Sequence, residues 1–330
     1  MNLNEVSKSQ MNFVSIKDKN IWIDLLDRAL FRTFFHEPEW EDFLEKEFQW
    51  MKFEHYTWKD ELLLSVARCK LLGKEKIISH PLCEYGGPLP LKEKINFDSF
   101  ISDFQSYFGV NARIQFHPYV LAGTSSGRST FLIENFSKKT SQDLWSSFRK
   151  TLRQEIKKGE QHNIVIEELG AEEDLKKFYN LYLDTIKRHK TVPIPFSIIK
   201  FLSAHAKIFL AKKGNVVIGG SIFLLYKPFI HYFINASDHK YRDWNIGHKI
   251  LWHVMQNYAG GEYDYFDLGG TRKGSSLETF KKGWGTEEYS IYEIGSRGTS
   301  NVSSWKREAW SILPEFFSKK IAPYALYWLI

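Results

Sequence analysis

The most informative part of the sequence lies in the last quarter of the chain and reads Tyr263-Asp264-Tyr265-Phe266-Asp267-Leu268-Gly269-Gly270. A second short motif follows it, Phe280-Lys281-Lys282-Gly283-Trp284-Gly285. The aromatic and acidic run has the composition of a strand, and the Gly-Gly pair ends it. The two motifs therefore place a carboxylate and a lysine near one strand end, which suits a transfer reaction on an anionic substrate.

The residues around this stretch predict an ordered series of helices and strands. Runs rich in β-branched and aromatic residues predict strands, and apolar residues at four-residue spacing, such as Ile246, Ile250 and Val254, predict helices. In chain order the predicted elements are a helix over 171–190, a strand meander over 208–211, 216–226 and 229–235, a helix over 245–259, and strands over 263–268 and 289–294. This order is the one expected of the acetyltransferase fold called GNAT.

A fainter version of the same order occurs in the first half of the chain. The predicted elements there are a helix over 39–48, strands over 61–68 and 75–79, a helix over 97–108 and a strand over 112–116. A length of 330 residues also favours two domains. We predict a first domain over 1–140, a second over 141–296, and a helical tail over 297–330 that packs back on the first domain or contacts a membrane.

Several motifs resemble those of the FemAB-like N-acyltransferases of the GNAT superfamily. The shared patches are the Asp-Leu-Gly-Gly strand end at 267–270, the Phe-Lys-Lys-Gly-Trp-Gly motif at 280–285, the Gly-Gly-Pro loop at 80–89, the basic segment at 145–158 and the linker at 188–195. The resemblance covers roughly 35–285 of the chain. It implies an α/β fold of two tandem GNAT-like domains, with mixed central sheets flanked by helices, and transfer of an acyl or aminoacyl group to an amine.

The resemblance leaves the acyl donor open. Some relatives build peptidoglycan cross-bridges from aminoacyl-tRNA, whereas others, grouped with a biotin-synthesis-related acetyltransferase domain, are expected to use acyl-CoA. Either donor would be a co-substrate, and no permanently bound cofactor is implied. The region 242–248 has one glycine and lacks the Arg/Gln-x-x-Gly-x-Gly/Ala pattern with which GNAT enzymes bind pyrophosphate. No long charged heptad segment interrupts the second domain, so a bridge enzyme would be of the compact kind.

Two residues are candidates for catalysis. Acylation of an amine needs a neutral nucleophile, a route for its proton and a positive group near the tetrahedral oxyanion. By its place in the motif, Lys281 is the candidate for the positive group, and its replacement by alanine is expected to reduce turnover far more than stability. Asp267, at the strand exit, is the candidate for accepting or orienting the proton. The alternatives are that Lys281 is solvated and that Asp267 caps the Gly-Gly turn.

Other residues are candidates for binding the substrate. Tyr85 offers an aromatic face, and the bare backbone amides of Gly86 and Gly87 are able to approach a phosphate. Arg188 and His189 form a cationic cluster where prolines stiffen the chain. The two motifs at the strand end add four further candidates, which are Gly269, Gly270, Phe280 and Trp284.

A basic stripe, Arg149, Arg153 and Lys157, recurs every four residues in the segment 144–157. The apolar residues between them predict one amphipathic helix there. A solvated face is the favoured interpretation of the stripe, and contact with phosphates is the alternative.

The composition is that of a globular protein, with 43% hydrophobic and 25% charged residues. A net charge of +6 favours anionic partners, among them phosphorylated precursors, tRNA and acidic membranes. Cys69 and Cys83 cannot make a four-thiolate zinc site, and His248 and His253 lack the i,i+4 spacing of paired ligands on a helix, so no metal site is predicted. No signal-peptide core opens the chain. We expect a cytoplasmic protein, or one held peripherally at the inner membrane face by its tail.

The leading hypothesis is an N-acyltransferase that acts on an amine of a peptidoglycan or polysaccharide precursor. Its acceptor would be an anionic, nucleotide- or lipid-linked sugar lying between the two domains. One alternative is an acyl-CoA-dependent acetyltransferase of GNAT type. The other is a catalytically silent scaffold that binds glycan or RNA through its aromatic residues, which make up 16% of the chain.

Overall fold

The computed structural model describes residues 12–295 and 324–327. Within this part, the chain divides into two units, which are residues 12–129 with 289–295 and residues 130–288 with 324–327. The predicted boundary at residue 140 thus falls inside the second unit, and the last strand belongs to the first. Apart from a short helical segment at 324–327, the predicted tail and its proposed contacts lie outside the described residues.

The first unit is built around an antiparallel sheet. Its elements in chain order are β1 (Phe13–Ile16), α1 (Lys19–Leu26), α2 (Pro38–Glu47), β2 (Met51–Trp58), β3 (Leu62–Leu71), β4 (Lys74–Ile78), β5 (Leu89–Pro90), α3 (Phe97–Phe108), β6 (Ile114–Gln115) and the first part of β7 (Thr124–Glu134). The strand order is β1-β2-β3-β4, and β5 pairs with β3 at the end that β4 leaves uncovered. This sheet positions the loop between β4 and β5, which carries the Gly-Gly-Pro sequence.

Helix α3 shows how the sequence builds the core of the first unit. The Asn96 side chain accepts a hydrogen bond from the Ser99 backbone N–H at 3.0 Å and caps the helix, and Gly109 ends it with a φ of 92°. Phe100 and Phe104 come at four-residue spacing and are fully buried in the core. The observed helix covers the same residues as the predicted one.

The second unit has a mixed sheet with helices on it. Its elements are α4 (Ser141–Ser147), α5 (Lys150–Glu160), β8 (Val165–Glu168), α6 (Glu172–Arg188), α7 (Phe196–His205), β9 (Lys207–Lys213), β10 (Val216–Tyr226), β11 (Phe229–Ser237), α8 (Ile246–Tyr258), β12 (Tyr265–Asp267), β13 (Thr271–Arg272), α9 (Ser276–Lys282) and the start of β14 (Glu287–Ile294). The strand order is β8-β9-β10-β11-β12-β7. Only β11 and β12 run parallel among these neighbouring strands of the described residues. The predicted meander corresponds to β9, β10 and β11.

The core of the second unit lies between the sheet and α8. Ile250 and Val254 of α8 are fully buried and belong to the same apolar cluster as Phe223 of β10 and Phe266 of β12. Burial of side chains of this size contributes roughly 2 kcal/mol each. This packing fixes β11 and β12 beside each other, and the candidate site lies at the end of their pairing.

The segment 144–157 is not the single helix predicted from its amphipathic pattern. It forms α4 and α5, with a break at Phe148 and Arg149, whose ψ angles are both 145°. The Phe148 ring is buried, with its centroid 5.0 Å from that of Trp284, and the Arg149 backbone N–H donates to the Gly283 carbonyl at 3.0 Å. These tertiary contacts override the helical pattern.

Candidate active site

Asp267 holds the turn that ends β12. Gly269 follows with a φ of 76°, a left-handed conformation that favours glycine. The Asp267 side chain is buried, and its Oδ1 accepts hydrogen bonds from the Gly269 backbone N–H at 2.7 Å and from the Thr130 hydroxyl at 2.6 Å. The bond to Gly269 is an Asx turn. Asp267 therefore caps the Gly-Gly turn, as one of its two sequence interpretations holds.

A histidine that the sequence did not single out completes this arrangement. His231 of β11 lies opposite Asp267 in the parallel register, and its Nδ1 is 2.8 Å from Asp267 Oδ2. The His231 side chain is 8% exposed. In sequence it is a histidine within an apolar strand, for which a core position is the usual interpretation. Only the register between β11 and β12, which the sequence does not reveal, brings it to the carboxylate.

Lys281 lies beneath the same turn. It comes from α9, and its Nζ donates hydrogen bonds to the carbonyls of Gly269 at 2.7 Å and Gly270 at 3.1 Å. The residue is only 4% exposed, so the solvated alternative does not hold. A buried ammonium requires such acceptors because its desolvation is costly. The carbonyls of both glycines, predicted to bind substrate, are thus occupied by the lysine, which fixes the turn.

The pairing of the two strands ends at this pair. β12 pairs with β11 over 229–231 and ends there, whereas β11 continues along β10 to Ser237. Among the described residues, no strand pairs with 232–237 on the β12 side. We call residues 232–237 the open edge of β11. At about 3.3 Å per residue it spans roughly 20 Å of strand edge.

Arg188 lies at the far end of the open edge. Its Nη2 donates to the Ser237 carbonyl at 3.3 Å and to the Thr185 hydroxyl at 2.9 Å. Its neighbour His189 is the exposed C-cap residue of α6. In the predicted cationic cluster, Arg188 is therefore the residue that is hydrogen-bonded to β11.

The N-terminus of α8 lies beside the open edge. A Cβ added to Gly247, in the first turn of α8, would be 3.4 Å from Asn235 Oδ1. The Asn245 side chain does not cap α8 but donates to the Glu155 carbonyl at 3.1 Å. The first backbone N–H groups of α8 therefore have no side-chain cap. Such a helix end attracts anionic groups through its N–H groups and its dipole.

The aromatic residues of the second motif serve packing. Trp284 is completely buried, with its ring centroid 5.0 Å from that of Phe148. Phe280 is partly buried, and its ring is 4.9 Å from His248 and 5.9 Å from Trp284. The Trp284 ring has no exposed surface in this structure, and the binding role predicted for it stays a prediction.

The Gly-Gly-Pro loop of the first unit also forms hydrogen bonds within the protein. The backbone N–H groups of Gly86 and Gly87 donate to the Gln115 carbonyl at 3.1 and 3.2 Å. These two N–H groups are therefore hydrogen-bonded within the protein, and the phosphate-binding role predicted for them stays a prediction. Tyr85 is buried and packs edge-on against His117, with ring centroids 5.3 Å apart. A Cβ on Gly86 would lie 2.3 Å from His80 Cβ, so close packing accounts for this glycine.

Two members of the basic stripe make contacts with the protein. Arg149 donates from its guanidinium to the Thr279 carbonyl, and Arg153 donates to the Trp145 carbonyl at 3.4 Å. In the described ranges 12–295 and 324–327, no cluster of His, Cys, Asp or Glu is arranged to hold a metal ion. No described helix is long and apolar enough to cross a membrane.

Comparison with known proteins is consistent with this architecture. Residues 146–289 match the family model of the acetyltransferase (GNAT) domain. The chain is similar to the crystal structure of FemX, with a TM-score of 0.60 and 14% identity over 86% of this chain and 97% of that one. It is also similar to the C-terminal domain of a putative lysylphosphatidylglycerol synthetase from Agrobacterium fabrum, with a TM-score of 0.56 and 11% identity over 87% and 97% of the two chains.

A third similar structure is a tandem GNAT protein from the clavulanic acid biosynthesis pathway, with a TM-score of 0.50 and 7% identity over 85% of this chain and 97% of that one. No curated protein sequence matches the chain. The predicted α/β fold of GNAT type is confirmed, and the family model and the fold together support the resemblance to the FemAB-like proteins.

Proposed function

We propose that this chain, a GNAT protein with a fold similar to that of FemX, is an N-acyltransferase that transfers an acyl or aminoacyl group to an amine of a cell-envelope precursor. One observation carries the proposal, which is that the pairing of β11 with β12 ends at the buried pair of His231 and Asp267 while β11 continues. Among the described residues, no strand pairs with 232–237 on the β12 side, and this segment begins beside polar side chains that are already fixed. An extended donor with amide groups can pair with such an edge.

The surroundings of the open edge favour an anionic donor. The uncapped N-terminus of α8 lies beside Asn235, and Arg188 contacts Ser237 at the end of the edge. The pyrophosphate of acyl-CoA and the terminal phosphates of aminoacyl-tRNA both fit positive groups of this kind. The open edge is long enough to pair with an extended donor molecule. We therefore place the acyl donor there, with its reactive carbonyl near His231.

The reaction that follows from this placement is amine acylation. The amine nitrogen attacks the carbonyl carbon, a C–N bond forms, and the C–S bond of a thioester or the C–O bond of an aminoacyl ester breaks. The amine loses one proton, and the thiolate or alkoxide that leaves takes one up. Lys281 and Asp267 contribute by holding the Gly-Gly turn at the strand end.

The acceptor that we propose is an anionic nucleotide- or lipid-linked sugar that carries an amine. This choice is supported by the resemblance to the FemAB-like proteins, by the net charge of +6, and by similarity to a protein named as a lysylphosphatidylglycerol synthetase. Peripheral contact with a membrane through the tail, and a cytoplasmic location at its inner face, belong to the same proposal.

Competitive binding of labelled acyl-CoA and labelled aminoacyl-tRNA at low and physiological salt is the first test. The protein is then incubated with the bound donor and a panel of amine-bearing precursors, and products are identified by mass spectrometry. Saturable binding of one donor with a mass increase of one acyl group on an acceptor is expected. Binding of neither donor, combined with tight binding of glycan or RNA, would contradict the proposal and favour the silent scaffold.

A matched control separates donor binding from general attraction to a basic protein. Replacement Arg188→Gln removes the cation at the end of the open edge, whereas Lys227→Gln removes an exposed cation that pairs with Glu262 at 2.6 Å. Donor affinity should fall several-fold only in the first variant, because one desolvated phosphate contact is worth about 1 kcal/mol or more. Equal weakening in both would mean that binding is non-specific.

A further inference from the structure

We propose that Asn235 is a specificity-determining residue of the donor site, whose side-chain amide binds an amide group of the acyl donor, and that Ser221 is the positioning residue that orients it. This inference rests on the proposed N-acyl transfer and concerns the donor side of the same site. The ligand that it implies is a donor with amide groups along an extended arm, as in phosphopantetheine thioesters.

Asn235 is the residue of the open edge that solvent reaches most readily. Among residues 232–237 it is the one exposed residue, whereas Ala236 is buried and the other four are partly buried. His231, immediately before the open edge, is buried as well. A ligand that lies along the open edge therefore meets the Asn235 side chain without any opening of the fold.

Ser221 holds one half of the Asn235 amide. The two residues lie directly opposite each other in the antiparallel pairing of β10 and β11, and the Ser221 hydroxyl donates to Asn235 Oδ1 at 3.0 Å. Ser221 is completely buried, so this bond turns the amide oxygen toward the protein. The Nδ2 group, which carries two donor hydrogens, makes no hydrogen bond within residues 12–295 and 324–327. It is a fixed donor for an acceptor on a ligand.

The first turn of α8 limits the amide on its other side. A Cβ added to Gly247 would be 3.4 Å from Asn235 Oδ1 and 3.5 Å from Nδ2, so the side chain lies close against this turn. A group that is held on two sides before the ligand arrives loses little conformational entropy on binding. Asn235 is therefore more suitable for recognition than a freely rotating surface amide.

The position of Asn235 along β11 fits an amide of such an arm. Asn235 follows His231 by four residues, which corresponds to roughly 13 Å at about 3.3 Å per residue. A register shift in the pairing of β10 with β11 between the two residues shortens this span.

The proposed function places the reactive carbonyl of the donor near His231. In a phosphopantetheine thioester the second amide carbonyl is about nine bonds from the acyl carbon, or roughly 11 Å at the advance per bond of an extended peptide chain. At this distance from its acyl carbon, an aminoacyl ester of RNA carries sugar and phosphate groups. Asn235 therefore matches the amide-bearing arm better than the RNA.

Two replacements of Asn235 test the contact, with acetyl-CoA as the donor. Asn235→Ala removes the amide, and Asn235→Asp keeps an acceptor for the Ser221 hydroxyl but has no N–H group to donate. Each should raise KM for acetyl-CoA at least about 5-fold and leave kcat close to that of the wild type, because one hydrogen bond remote from the reacting atoms is lost. Asn215→Ala, at an exposed position in the turn between β9 and β10, is the control and should keep wild-type kinetics.

Donors that differ only in the arm show which group Asn235 binds. Acetyl-pantetheine keeps both amides without the nucleotide, and S-acetyl butanethiol has no amide. Asn235→Ala should weaken use of acetyl-pantetheine as much as that of acetyl-CoA and should not change kcat/KM for S-acetyl butanethiol. An equal loss with the amide-free thioester would contradict recognition of an amide. An acyl carrier protein tested beside acyl-CoA distinguishes the two sources of the same arm by their KM values.

A double-mutant cycle tests the role of Ser221. Ser221→Ala removes the hydroxyl that orients Asn235, so KM for acetyl-CoA should rise about 3-fold, less than when the amide itself is removed. In the Asn235→Ala background the same replacement should have no further effect on KM, because the two residues act as one unit. Additive effects would mean that Ser221 does not act through Asn235.

The outcomes separate this inference from the proposed function. If the wild-type protein acylates an amine from acetyl-CoA, and both Asn235 variants are folded by thermal unfolding and keep the wild-type KM, then Asn235 does not bind the donor while N-acyl transfer stands. Transfer from aminoacyl-tRNA alone, without use of acetyl-pantetheine, would also overturn the role of Asn235 and leave the function in place. A wild-type protein that acylates no amine overturns both proposals.

Discussion

Each unit buries one carboxylate beside a histidine, and the two arrangements differ in what surrounds them. Asp267 of the second unit and Glu41 of the first are both almost fully buried, and each accepts a 2.6 Å hydrogen bond from a hydroxyl, Thr130 and Ser65 respectively. The histidine partner is His231 at 2.8 Å in the second unit and His55 at 2.6 Å in the first. The local chemistry is therefore nearly the same.

The difference lies in the neighbours of each pair. His231 forms the last pair between β11 and β12, and the open edge of β11 begins at the next residue. The Trp22 ring stacks on His55, with ring centroids 4.2 Å apart and an angle of 20° between the planes, and the His55 side chain is 22% exposed against 8% for His231. His80 lies on the other side of Glu41, with Nε2 3.3 Å from Oε1, and its ring is 4.7 Å from that of His36.

We call Glu41, His36 and His80 the first-unit cluster. Burial shifts the pKa of each of these residues. Desolvation raises the pKa of Glu41, against the hydrogen bond from His55, which lowers it. Desolvation lowers the pKa of His36 to about 4, against backbone hydrogen bonds at Thr33 and Gly86, and holds the pKa of His80 well below its usual value. Other charged or titratable groups that face this cluster are Arg32, Asp42 and His117. The lowered pKa values favour the neutral form of His36 and His80 in the folded protein at neutral pH.

We expect the largest effect from replacing Lys281, whose ammonium binds the Gly-Gly turn of the second unit. Replacement Lys281→Met leaves the carbonyls of Gly269 and Gly270 buried without their donor. We expect the free energy of unfolding to fall by about 3 kcal/mol and activity to be lost as well. Urea unfolding and the acyl-transfer assay measure the two effects. This differs from the expectation from sequence, in which turnover suffers far more than stability.

The adjacent lysine provides the control for that variant. Lys282 is 44% exposed in its side chain and pairs with Glu278 at 2.7 Å and Glu288 at 2.8 Å. Replacement Lys282→Met should leave both stability and activity close to those of the wild type, because exposed ion pairs contribute little. Similar losses in the two variants would contradict a specific role for the buried ammonium.

Removing the hydroxyl donor of each buried carboxylate should have a smaller effect, and the two variants distinguish the two sites. Ser65→Ala and Thr130→Val each remove a hydroxyl that donates to a buried carboxylate at 2.6 Å. Each should lower the free energy of unfolding by about 2 kcal/mol, as expected for hydrogen bonds to charged groups. Only Thr130→Val should also slow acyl transfer. A Ser65→Ala protein that is equally slow would mean that the first-unit cluster affects the chemistry.

The pH dependence of stability gives the smallest expected effect and belongs to the first unit. Because the folded-state pKa values of His36 and His80 lie below the unfolded-state value of about 6.5, their contribution is complete above that pH and is lost as pH falls toward about 4. Each proton bound only by the unfolded chain lowers stability by about 1.4 kcal/mol per pH unit. The raised pKa of Glu41 has the opposite sign and partly offsets this loss at acidic pH.

Urea unfolding between pH 4 and pH 7, with values chosen to bracket the reference histidine pKa of about 6.5, tests this expectation. His80→Gln should have a shallower slope than the wild type, and His205→Gln, at an exposed position, should have the wild-type slope. A wild-type slope that does not change in His80→Gln would mean that His80 takes up its proton without opening the fold.

The sequence predicts the second unit better than the first for identifiable reasons. The meander and α8 have clear periodicity and are bounded by turns, so β9, β10, β11 and α8 lie close to their predicted positions. β2 was missed because its sequence, MKFEHYTW, mixes charged and aromatic residues without a clean alternation. β7 begins with a polar run, TSSGRST, and is recognised as a strand only through its pairing with β12.

The candidate site was predictable only in part. The motifs identified Asp267 and Lys281 correctly as neighbours of one strand end, since both contact the Gly-Gly turn. They did not indicate that Lys281 is buried or that Trp284 has no exposed surface, because burial depends on contacts distant in sequence. His231 and Thr130 reach Asp267 across 36 and 137 residues of chain, and no local pattern encodes such a register.

The GNAT family match leaves out strand β7, part of which belongs to the second unit. Its residues 132–134 pair with β12, and Thr130 precedes them, whereas the GNAT family model begins at residue 146. A fragment cut at that boundary would expose the edge of β12 and leave Asp267 without its hydroxyl donor, and unpaired strand edges promote aggregation. The family match and the folded unit therefore begin at different residues of this chain. Any isolated version of the second unit has to include β7, which precedes the family match in sequence.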